Sequence, residues 1–201
     1  FPVIYLLSKI YSAYEFYKCK EFDALILCYH WTQERLARSC KNNKLIFNFP
    51  IIEENILAKK NNPESAICYA GLFSEMWNID NVIRTLPKVD DIKFNLAGHG
   101  SDSYLERLKG TEGWSKVNYL GKLKFEDVYD KVYSKSNMGI ALLDYIPLVK
   151  GNIGNMSNTK LFEYMLVGLP VICTDFILWK EVVEENSCGI CVNPHNIDEI
   201  V

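Results

Sequence analysis

The sequence predicts an α/β fold, a Rossmann-like doubly wound parallel sheet with helices on both faces. Three observations predict it. From residue 66 onward, short apolar runs alternate with stretches of helix length. The runs show little polar alternation, as expected of strands buried on both faces. The strand–helix–strand pace is that of repeated right-handed crossovers.

The strands are expected at residues 66–70 (AICYA), 94–97 (FNLA), 117–120 (VNYL), 138–142 (MGIAL), 171–173 (VIC) and 189–192 (GICV). Helices are expected between them at 79–86, 101–108, 125–135, 159–167 and 178–185. Within 125–135, Phe125, Val128, Tyr129 and Val132 fall three and four apart and share one face. The beginning of the chain differs. Residues 1–19 are aromatic and helix-like, 23–28 read as a strand, 33–40 as a helix and 45–47 as a strand. Asn48, Phe49 and Pro50 break the pattern, and a polar stretch follows at 58–63. Residues 1–49 are too few to enclose a core of their own. They are therefore expected to be a remnant of a preceding domain, with 50–201 forming the α/β domain.

The composition is that of an ordinary globular chain: 201 residues, 49% apolar and 23% charged. A net charge of -3 lacks the basic footprint of nucleic-acid binders. The longest apolar stretches are strand-sized, too short to span a bilayer. The chain begins at Phe1 with no signal-peptide pattern, so it is expected to be an internal piece of a longer cytoplasmic protein. Seven scattered cysteines fit a reducing compartment. Cys188 and Cys191 have redox spacing. They sit between a turn and a strand, with no helix start to lower a thiol pKa and no second ligand pair for zinc, and read as structural thiols.

In such a sheet, ligands bind beyond the carboxyl ends of the strands, so the following loops matter most. The first strand runs into Gly71, where a phosphate or sugar can approach the backbone, or where the chain simply turns. The second ends in Gly98, His99 and Gly100. This is a poor dinucleotide fingerprint, because no acidic residue follows about 20 residues later. His99 reads as a solvated loop histidine. The fourth loop is the most specific. Ser157, Asn158 or Thr159 can cap the next helix, whose free N–H groups make an anion site. Lys160 in the first turn opposes the helix dipole, which a bound diphosphate would explain. Glu163 follows on the same face and can accept from ribose hydroxyls. Gly168 and Pro170 end the helix. Lys160 and Glu163 can equally be surface residues of an amphipathic crossover helix. Asp144, after the fourth strand, reads either as a residue near the site or as a solvated carboxylate. No carboxylate pair suggests a metal, and no cofactor is expected.

The segment KLFEYMLVGLPVI at 160–172 resembles the donor-site helix of retaining glycosyltransferases of family 4, the group 1 transferases of the two-domain GT-B type. The resemblance continues in order through YAG at 69–71 and IDNVI at 79–83, LAGHG at 96–100, YLG at 119–121, WKEVV at 179–183 and CGI at 188–190. DALIL at 23–27 and FNFP at 47–50 are similar to the end of that family's acceptor domain and its hinge. The resemblance therefore implies a C-terminal GT-B half carrying a stub of the N-terminal acceptor domain.

It implies a donor site in which Glu163 binds the ribose, Lys160 with Asn158 and Thr159 meets the diphosphate, and Gly71 admits the phosphate. Gly98, Gly100 and the Gly121–Leu123 segment would lie near the base. Three positions depart from the pattern. Asn155 stands where the first glutamate of the spaced pair would fall, and Leu72 and Trp77 stand near the usual basic pair. The implied function is retaining transfer of a sugar from a nucleoside-diphosphate sugar to a hydroxyl acceptor, a saccharide or lipid-linked saccharide, in bacterial envelope polysaccharide synthesis. The alternatives are an epimerase of GT-B shape and a non-catalytic nucleotide-sugar-binding module. Membrane contact, at the inner face, would come only through absent regions. Alone, these residues are expected to bind without turning over. His30, in the stub, is assigned no role.

Overall fold

The computed structural model describes residues 2–51 and 65–201. The polar stretch expected at 58–63 lies outside the described residues. The chain divides into two compact units, one of residues 1–48 with 155–157 and one of 49–154 with 158–201.

The smaller unit contains helix α1 (Pro2–Lys18), strand β1 (Leu25–Leu27), helix α2 (His30–Leu36) and strand β2 (Asn43–Leu45). The strands pair in parallel, Leu25 opposite Asn43. The observed β2 starts two residues before the expected run. The reason is Asn43, whose side chain donates to the Cys40 carbonyl and accepts from Gln33, which sets the register there. α2 begins three residues early, at His30, and stops at Leu36. α1 exposes Ile4, Leu7, Tyr11 and Tyr14.

The larger unit is a six-stranded parallel sheet in the order β5-β4-β3-β6-β7-β8. Its strands are β3 (Ala66–Leu72), β4 (Lys93–His99), β5 (Val117–Gly121), β6 (Met138–Ala141), β7 (Val171–Thr174) and β8 (Gly189–Val192). The helices are α3 (Ile79–Thr85), α4 (Asp102–Lys109), α5 (Phe125–Lys131), α6 (Thr159–Leu166), α7 (Ile177–Val183) and α8 (Ile197–Ile200). The order reverses between β3 and β6, the switch point at which doubly wound sheets open a crevice.

One face of the sheet buries Ile67, Tyr69, Leu96 and Ile140 under Ile79, Val82 and Ile83 of α3, Tyr104 and Leu108 of α4 and Ile200 of α8. On the other face Tyr164 of α6 lies flat on Gly139. A Cβ at 139 would overlap the Tyr164 ring, so this close seating requires glycine. The Tyr164 hydroxyl donates to the Ile140 carbonyl at 3.1 Å. The inner strands are buried on both faces as expected. The edge strands β5 and β8 are only half-buried, because each has a neighbour on one flank alone. At the amino ends of the strands, side-chain amides link the layers. Asn118 donates to Asn95 at 3.0 Å, and buried Asn95 donates to the Lys135 carbonyl and the Ser136 hydroxyl, each at 3.0 Å. Satisfying every such buried amide is what makes it tolerable in a core.

The helix expected over 125–135 breaks at Val132, where φ is -117°, and resumes as a 3₁₀ turn, Tyr133–Lys135. Among the described residues no helix is long and apolar enough to cross a membrane.

Candidate functional site

A cavity of about 270 Å³ opens at the carboxyl ends of β3, β4 and β5. It is lined by Gly71, Gly98, His99, Lys122, Leu123, Phe125, Tyr133, Thr159, Lys160 and Glu163, with four small or apolar neighbours. Its floor is two glycines side by side. The β3–β4 register sets Gly71 opposite Gly98. Both have positive φ, 152° and 136°, and a Cβ at Gly98 would overlap the Gly71 carbonyl. Any side chain at either position would fill the floor and strain the backbone.

Above the floor lies Lys160. A Cβ at Gly71 would stand 2.6 Å from its Cε and 2.8 Å from its Nζ. The lysine projects from the first turn of α6, whose cap is Asn158. The Asn158 side chain accepts from the Lys160 N–H at 3.1 Å. α6 ends at Leu166 with Val167 as its C-cap, after which Gly168 takes a left-handed conformation and its N–H donates to the Met165 carbonyl. Burial lowers the Lys160 pKa, and the nearby Glu163 charge opposes that shift. Among the described residues no carboxylate forms an ion pair with it. Its ammonium instead stands 4.5 Å from the ring centre of Trp77 and 5.3 Å from that of Tyr69. Glu163, one turn on, accepts a hydrogen bond from the Tyr133 hydroxyl at 2.8 Å.

Of the residues expected at the site, Gly71, Gly98, Leu123, Thr159, Lys160 and Glu163 line one cavity. Gly100 does not line it; a Cβ there would come within 2.5 Å of the Phe73 carbonyl oxygen, so its role is packing. Asn158 acts from behind as the cap. Asn155 accepts from the Ser157 N–H at 2.9 Å within the smaller unit. Asp144 does not line the cavity; its carboxylate meets His195 Nε2 at 2.9 Å. His99 does line it. His30 packs its ring against Phe47, centroids 5.3 Å apart. Sequence reasoning missed Tyr133 and Trp77. Tyr133 stands 30 residues from Glu163, outside any local pattern. The lack of charge at Trp77 was visible, but nothing in the sequence shows which side chain faces its ring.

The family model described as glycosyl transferases group 1 matches residues 64–201. The chain belongs to that family. No curated protein matches it. Solved structures show the same fold at low identity. The group 1 chain is similar to a variant of S. aureus TarM in complex with Fondaparinux, alpha-GlcNAc-glycerol and UDP. The TM-score is 0.70 and identity 16%, over 94% of this chain and 37% of that one. It is similar to the pneumococcal O-GlcNAc transferase GtfA in complex with UDP and GlcNAc (TM-score 0.64, 17% identity, 93% of this chain and 38% of that one). It is also similar to Anabaena HepE in complex with UDP and glucose (TM-score 0.65, 16% identity, 89% of this chain and 51% of that one). The chain thus spans between about a third and a half of these relatives. Its sheet is the Rossmann-like half of a GT-B glycosyltransferase fold.

Proposed function

We propose that the cavity binds a nucleoside-diphosphate sugar, and that the protein carrying this chain transfers the sugar to a hydroxyl acceptor. The observation that carries this reading is the Lys160 ammonium held over the Gly71–Gly98 floor at the start of α6, with Glu163 fixed one turn behind it by Tyr133. A diphosphate on that floor would meet a cation and the positive end of a helix. Glu163 would accept from ribose hydroxyls, and Leu123 with Gly98 would flank the base. As the sugar leaves, charge gathers on the diphosphate, and preorganised positive groups stabilise it there. Retention at the anomeric carbon and a role in envelope polysaccharide assembly belong to the same proposal. They rest on the likeness of the segment 160–172 to retaining family 4. The residues 1–49 would then be the last part of an acceptor domain, with a saccharide or lipid-linked saccharide as acceptor.

A second reading, nucleotide-sugar binding without transfer, is favoured by two features of the sequence. Leu72 and Trp77 supply no further charge beside Lys160, and Asn155 replaces a carboxylate.

Calorimetric titration of the full-length protein with UDP, GDP and their sugars tests the site. Lys160→Ala is expected to weaken the preferred diphosphate by roughly 10- to 100-fold, the worth of a charge-assisted contact. Glu163→Ala is expected to cost about tenfold through the ribose. Unchanged affinity in both variants would refute the assignment. Release of free UDP or GDP from the donor sugar, with and without acceptor, separates transfer from binding alone.

A further inference from the structure

Trp77 ends the 3₁₀ turn Glu75–Trp77 that follows β3. Its ring and that of Tyr69 form a corner, with centroids 5.7 Å apart and planes at 58°. The Tyr69 ring is fixed, fully buried, with its hydroxyl donating to the Leu72 carbonyl at 2.7 Å. The Lys160 ammonium stands before both rings, nearer Trp77, while its Cε and Nζ cover Gly71.

A lysine side chain has four rotatable bonds and a strongly hydrated head, so its charge wanders unless something holds it. A carboxylate would hold it but cancel the field that an anion needs. An aromatic face attracts the cation through its quadrupole and leaves the net charge intact.

We propose that Trp77 is a positioning residue for the diphosphate site: its ring, with Tyr69, holds the Lys160 ammonium, which forms no ion pair among the described residues, over the Gly71 floor where the phosphates dock. The proposal rests on the reading that Lys160 meets a diphosphate. Trp77 acts through Lys160 and makes no contact with the reacting atoms.

A double-mutant cycle tests it in the full-length protein, with UDP and GDP as the titrants and the tighter binder used for the comparison. Trp77→Leu is expected to weaken binding about fivefold when Lys160 is present and not at all in a Lys160→Ala background. Trp77→Phe, with its weaker quadrupole, is expected to lose about twofold, again only with Lys160 present. If Trp77→Leu does not fold, judged by its melting curve, the Trp77→Phe cycle decides alone. An equal loss with and without Lys160 would mean that Trp77 serves the fold or touches the ligand itself, and the proposal falls. It falls also if Trp77→Leu binds normally while Lys160→Ala does not; the nucleotide site then stands without it. If Lys160→Ala itself binds normally, the underlying reading fails.

Discussion

At the scale of single residues, Lys160 makes the sharpest statement. A buried ammonium loses hydration, which lowers its pKa, and only Glu163 opposes the shift. A diphosphate beside it would raise the pKa again. The bound form therefore holds the proton more tightly than the free form, and linkage requires affinity to be greatest below the free pKa and to fall as pH rises through it. Titrations above about pH 8, where the terminal phosphate is already ionised (pKa about 6), isolate the effect. Diphosphate affinity is expected to fall with rising pH at a lower pH than an ordinary lysine would give. Lys160→Arg is expected to keep it level, because a guanidinium stays charged. His99 and Lys122 line the same cavity. A fall that persists in Lys160→Arg would show that Lys160 is not the group responsible. The sequence marked Lys160 because a cation in the first turn of a helix stands against the dipole, a local anomaly that needs no tertiary information. The same local signal cannot show Trp77 or Tyr69 facing the lysine, since those contacts form only when β3 and α6 meet.

At the scale of elements, α6 is placed by a tyrosine on a glycine. Because Tyr164 sits flat on Gly139, α6 approaches β6 closely, and Lys160 one turn earlier reaches the end of β3. Gly139→Ala is expected to force that helix outward and to cost roughly 1–3 kcal/mol of stability, read by urea denaturation, with weaker diphosphate binding alongside. A variant as stable as the parent would show that the helix does not depend on this contact. The break at Val132 turns Tyr133 toward Glu163. Tyr133→Phe is expected to remove that hydrogen bond at about 1 kcal/mol, raising the diphosphate Kd roughly fivefold while leaving the melting temperature within a few degrees. The apolar periodicity at 125–135 was legible, but the break inside it was not. Period alone does not register where a helix tightens into a 3₁₀ turn.

At the scale of the whole molecule, the parallel direction and the doubly wound class were legible because short buried strands separated by helices admit few arrangements, whereas the strand order came only with the structure. The register was not: whether Gly71 stands beside Gly98 depends on side chains from several strands. Gly98→Ala is expected to be the most damaging single change at the site, since its Cβ would overlap the Gly71 carbonyl and its φ is positive. Both stability and nucleotide binding should suffer, and a Gly98→Ala protein that binds UDP or GDP as well as the parent would overturn the description of the floor. The chain spans only part of the relatives it resembles. Under the proposed function, these 201 residues alone are expected to bind the donor weakly and to release no nucleotide from it. Steady-state release of UDP or GDP by the isolated chain would contradict this.

The amide ladder Asn118–Asn95–Ser136 lies at the opposite end of the strands from the cavity. The rivets of the frame thus lie toward one end of β4 and β5, and the residues that line the cavity at the other. Exchanging residues 122–124 for those of a group 1 relative should change which base is preferred while the transition midpoint in urea stays put. That outcome would mean that base preference in this scaffold can be changed like a removable bit in a fixed handle.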